Sequence, residues 1–181
     1  DDPLISLMII QFIFPVLVVM VTGEVTVRGK DSLFIYRKAP SGEGRFVKTM
    51  LLKSWLMAVP IAGAVTAAAS LLSPRTTLFS SVINTGLMML FVAGYVAFVL
   101  GLFLLNPAFS EKSVRLWLNV MIAVFASIGI FAISLLVLTK GFKLSDPVGG
   151  MLYLQLFQTA LIWLLGAGFL TIGKRKLSQI E

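Results

Sequence analysis

The 181-residue sequence contains no cysteine and no histidine. That excludes disulfides, zinc sites built on Cys or His, thiolate nucleophiles and imidazole acid–base chemistry. Charge is scarce as well. Asp, Glu, Lys and Arg make up 13% of the chain, against about a quarter in a soluble domain. Acids are the rarer sign, 8 against 15 bases, for a net charge of +7. None of these groups falls near the centre of a long apolar run. Ion-coupled transporters and intramembrane proteases keep ionisable groups at such positions, where they are expensive and persist for function, so both classes are disfavoured.

Apolar residues are what the chain has in excess: 58% of positions, with a mean hydropathy of +0.98. They fall in long runs, and about 18 consecutive apolar residues suffice to span a bilayer as a helix. The expectation is an all-α membrane protein, a single transmembrane domain over residues 1–181. Its five transmembrane helices are expected at about 4–22, 49–72, 78–105, 116–139 and 151–173. Pro15 and Pro60 lie inside the first two spans, where kinks are tolerated if neighbours satisfy the freed carbonyls. Asn106-Pro107 closes the third span, and Ser73-Pro74-Arg75-Thr76 reads as a tight turn. The first apolar run lacks a basic leader and a small-residue cleavage site, so it is not a signal peptide. The chain opens Asp1-Asp2-Pro3 without an initiating Met and is expected to be the C-terminal part of a longer chain.

Residues 23–48 break the apolar pattern. Arg28, Lys30, Arg37, Lys38, Arg45 and Lys48 face Glu24, Asp31 and Glu43, with Leu33, Phe34, Ile35 and Tyr36 between them. This segment predicts a short amphipathic helix at the membrane surface, ended by Ala39-Pro40-Ser41-Gly42. It serves either to dock a partner or simply as a solvated basic loop with an interfacial anchor. The bases also give an orientation. One set of alternate loops holds Arg28, Lys30, Arg37, Lys38, Arg45, Lys48, Lys112, Arg115, Lys174, Arg175 and Lys176; the other holds Arg75, Lys140 and Lys143. The first set is expected inside, so the C-terminus is cytoplasmic in a multi-pass cell-membrane protein. Bases placed this way need no nucleic acid to explain them.

Within the spans, Gln11, Asn84, Asn119, Gln155 and Gln158 are the amide side chains. Gln155 and Gln158 share a helix face. Asn84, Asn119, Gln155 and Gln158 read either as a polar path or subunit seam, or as ordinary interhelical hydrogen bonds. Gly86, Gly94 and Gly101 recur along the third span and suit close helix packing or a dimer face. Gly42-Glu43-Gly44-Arg45 lacks the Lys-Ser/Thr of a phosphate-binding loop. No hydroxyl has a His partner and no carboxylate pair is evident. The chain is therefore not expected to be an enzyme, and no cofactor or metal is implied.

Glu24, Gly29 and Leu33, followed by Ala39-Pro40-Ser41 and then Lys48, resemble a loose pattern of about 25 residues found in permease subunits of ABC-2 type exporters. In that family an acidic residue ends the second span. A Gly and a Leu follow, then a coupling helix, a small-residue-Pro-Ser turn, and a Lys opening the next span. The expected topology is similar, with this chain supplying spans two to six of an ABC-2-like bundle. The resemblance implies a permease of an ATP-driven exporter, with ATP hydrolysed in a separate ABC ATPase subunit and a second permease chain as partner. It implies ATPase coupling through Glu24, Gly29, Leu33, Phe34, Tyr36, Arg37, Lys38, Pro40 and Lys48, with Arg37 and Lys38 also able to meet membrane lipid. The alternatives are a membrane scaffold whose basic loop anchors or recruits, and a lipid-modifying enzyme, for which the acids are too scattered.

Overall fold

The computed structural model describes residues 3–37, 42–72, 77–106, 114–141 and 147–179. The turns expected at Ala39–Ser41 and Ser73–Thr76, and the loops at 107–113 and 142–146, lie outside the described residues. Five helices fill the described chain: α1 Pro3–Arg37, α2 Gly42–Leu72, α3 Leu78–Leu105, α4 Val114–Gly141 and α5 Pro147–Gln179. All five are long and apolar enough to cross a membrane, as a multi-pass membrane protein requires, and no strand occurs among the described residues. Hydroxyls within them turn back onto their own helix. Thr26, Thr66, Ser134 and Thr159, all buried, each donate to the carbonyl four residues earlier, at 2.7–2.8 Å, so these hydroxyls are satisfied within the bundle.

The third span is the axis of the bundle. It has the highest share of buried residues, 78% of its apolar window against 22–39% for the others. Its start is fixed by Thr77, whose hydroxyl accepts from the Ser80 amide while the Ser80 hydroxyl accepts from the Thr77 amide. Its end is fixed by Asn106, whose amide still bonds to the Leu102 carbonyl at 2.9 Å. The most extensive helix contact is that of α3 with α5. It runs parallel, because Gly166 abuts Gly94 and, seven residues later on both helices, Gly173 abuts Gly101. A Cβ at Gly166 would stand 2.8 Å from the Gly94 carbonyl oxygen, and one at Gly101 would stand 2.6 Å from the Phe169 carbonyl carbon. Both Gly94 and Gly101 are therefore spent inside one chain.

Aromatic side chains complete the axis. Phe91, Tyr95, Phe98 and Phe169 pack in series with ring centroids 5.0–6.0 Å apart, the first pair stacked and the last edge-to-face. Two indoles clip neighbouring helices to α3: Trp55 of α2 donates to the Ala93 carbonyl (2.9 Å) and Trp163 of α5 to the Leu90 carbonyl (3.0 Å). The buried Tyr95 hydroxyl reaches α4 and donates to the Ala123 carbonyl at 2.6 Å.

One sequence expectation differs. Instead of a span ending near residue 22 followed by a separate short helix, α1 continues without a break to Arg37. A fall in hydropathy does not stop a helix. Glu24 and Arg28 form an i,i+4 ion pair at 2.7 Å across the point where the apolar run thins. The Pro that would enforce a stop comes only at position 40.

Candidate functional site

The C-terminal parts of α1, α3 and α5 meet the N-terminal parts of α2 and α4 at one end of the bundle. Gly23 lies against Phe103 and Leu116, and Gly29 lies under Phe46 and Met50. The Lys174 ammonium sits beside Gly44. Lys176 donates to the Leu105 carbonyl at 2.7 Å, a cation on the negative end of α3. Exposed Arg28, Arg45, Lys48, Lys53, Lys174 and Lys176 give this end its positive field. Among the described residues at the opposite end, Lys140 in the last turn of α4 is the one base.

The residues assigned to coupling divide into three groups here. Glu24 is exposed and paired with Arg28, and Lys48 is exposed on the early turns of α2. Gly29 is half-buried, and its lack of a side chain admits Met50 and Phe46 of α2. Leu33, Phe34, Tyr36 and Arg37 fall on the continuation of α1, beyond the apolar run that thins after residue 22. Lys38 and Pro40 lie outside the described residues.

Beside this end, α1 and α4 leave a groove of about 470 Å³ between them. Its walls are apolar stripes at helical spacing: Val16, Met20 and Gly23 on α1, and Leu116, Val120 and Val124 on α4. Glu24 and Arg28 form the groove's polar wall, with Trp117 beside them. Sequence reading placed Glu24 at a span's end but had no signal for α4 as its neighbour.

The amide side chains fall into two clusters rather than one seam. Near the opposite end, Gln11 of α1 donates from its side-chain amide to the Gln158 side-chain carbonyl of α5, with Gln155 beside them, and all three are buried. At the basic end, Asn119 donates to the Asn106 carbonyl at 2.9 Å and accepts from the Asn106 amide at 3.2 Å. Asn84 is half-buried on the early turns of α3. Between the two clusters the interior is filled by Tyr95, Val99 and Phe103. Gln11 was visible in the sequence as a polar residue in a span, but periodicity could not reveal that it faces Gln158.

Set against known proteins, the chain matches no family model, no curated protein and no solved structure.

Proposed function

We propose that this chain is the membrane-spanning permease subunit of an ATP-driven ABC-type exporter. The observation that carries the reading is the continuity of α1. The helix leaves its apolar run near residue 22 and runs on to Arg37, about 22 Å further at 1.5 Å per residue. Its middle, through Phe14, Val18 and Val19, is buried in the core. A helix that is both a handle outside the membrane and a member of the packed bundle can transmit displacement, because close-packed interiors shift as units. At its far end the helix is tied to α5 through Gln11 and Gln158.

In this reading the basic end faces the cytoplasm, by the positive-inside rule, and the C-terminus lies there. A separate ATPase subunit receives Leu33, Phe34 and Tyr36, while Arg37 and Lys38 pair with its acids or with lipid phosphates. The contact must differ in affinity between the two ATPase states to drive any change in the bundle. Because aromatic and aliphatic side chains fill the interior between the two amide clusters, the substrate path lies between two permease chains rather than through one.

That same filled interior favours a second reading, a scaffold whose basic end recruits a partner without transport. The test is affinity purification of the full-length protein from its native membrane in mild detergent. A permease brings down a subunit with a Walker motif, and Leu33→Asp with Tyr36→Asp releases it. Absence of any ATPase, under conditions that keep other membrane complexes whole, rejects the permease in favour of the scaffold.

A further inference from the structure

The Glu24–Arg28 pair is unusual in its position. It lies just past the apolar run that thins near residue 22, where the polar stretch of α1 begins. Both side chains are open, 54% and 80% exposed, and they face a groove rather than a packed neighbour. Charges at the edge of an apolar run stand at the level where lipid headgroups begin. The groove that joins them is apolar along the rest of its length and falls within the size range of ligand sites. It opens toward the surroundings of the bundle, with Val16, Met20 and Trp117 exposed along it.

From this placement we propose that the α1/α4 groove is a binding site for one zwitterionic glycerophospholipid of the surrounding bilayer. One acyl chain lies along Val16, Met20, Gly23, Val120 and Val124. The headgroup sits on the charged pair, its phosphate on Arg28 and its ammonium on Glu24. Charge complementarity selects this occupant. A guanidinium and a carboxylate one helical turn apart present one positive and one negative partner, which matches a headgroup carrying one of each and leaves the site neutral. The fork suits phosphate, since a guanidinium has five N–H donors and the Glu24 contact engages only Nη2. Trp117, exposed at the same level, has the side chain favoured where headgroups begin. An anionic lipid would leave the Glu24 carboxylate facing like charge, and a free fatty acid would supply nothing for it.

The proposal does not depend on the exporter reading, and its test contains no ATPase. The full-length protein is taken from vesicles of mixed zwitterionic and anionic phospholipid into a delipidating detergent and examined by native mass spectrometry. A single retained zwitterionic phospholipid is expected. Arg28→Gln and the groove-filling Val124→Phe should each lower its retention about tenfold, the loss of one charge-assisted contact or of the chain's seat. Lys53→Gln, an exposed base away from the groove, should leave it unchanged. If Val124→Phe does not fold, Glu24→Gln on an exposed side chain takes its place, and selectivity for zwitterionic over anionic lipid should fall. Retention indifferent to these changes overturns the proposal. So does anionic lipid lost equally with Lys53→Gln, which would mark a diffuse annulus, or a second copy of the chain found in the groove instead of lipid.

Discussion

At the scale of single residues, the glycines separate by what surrounds them. Gly101 faces the Phe169 backbone so closely that a methyl group cannot be accommodated without moving α5, and backbone does not yield as a side-chain tip does. Gly101→Ala should cost about 2 kcal/mol, the usual scale of overpacking, read as a lower unfolding midpoint in mild detergent. Gly129 on α4 has nothing within 4 Å of an added Cβ, so Gly129→Ala should instead gain up to about 1 kcal/mol through helix propensity. Equal effects at the two positions would contradict the α3–α5 contact. Tyr95→Phe should cost about 0.6 kcal/mol, the average for a hydrogen bond between membrane helices. The loss stays small because the Ala123 carbonyl, already inside α4, keeps its backbone partner.

Elements show which parts of the fold were legible. The third span was bounded from sequence at Leu78 and Leu105, where the helix indeed begins and ends. Local chemistry sets both limits there: a Ser/Thr capping box before the apolar run, and Asn-Pro after it. Helix pairing was less accessible. The spacing Gly94–Gly101 is repeated by Gly166–Gly173, and that shared interval was a signal available in the sequence. Only coordinates show that the two intervals face each other. For α1 the difficulty was physical. Hydropathy reports where lipid ends, whereas propensity and ion pairs decide where a helix ends, and the two diverge after residue 22. The candidate site was accordingly half legible. Glu24, Gly29 and Lys48 were marked, but the groove wall supplied by Leu116, Val120 and Val124 was not. Continuity of α1 can be broken selectively. Lys30→Pro removes the 30-to-26 backbone bond at a local cost of about 3 kcal/mol. Because it lies beyond the apolar run, the bundle's unfolding midpoint should hold, and under the exporter reading recovery of the proposed ATPase subunit should fall. A bundle that unfolds earlier by the full cost would show that the extension is part of the core.

For the whole molecule, the decisive property is the uneven placement of its bases, eleven in one set of alternate loops against three in the other. Since the sequence has no cysteine, single cysteines report sidedness without background. In the proposed orientation, Lys174→Cys, on an exposed side chain at the basic end, should react with a membrane-impermeant maleimide only when the cytoplasmic face is open. Phe79→Cys, exposed on the first turn of α3, should react from the other face. The reverse pattern would invert the orientation and remove the extension of α1 from reach of any cytoplasmic ATPase.

The parallel pairing of α3 with α5 also constrains how the protein is made. A ribosome releases α3, then the whole of α4, before the first turn of α5 exists. Through that interval the glycine face of α3 has no mate, and α4, which touches α3 much less, cannot cover it. Assembly of the central pair therefore waits for the last helix. A chain whose synthesis stalls after α4 carries an open glycine seam, a lesion that membrane quality control can recognise by what is missing from it.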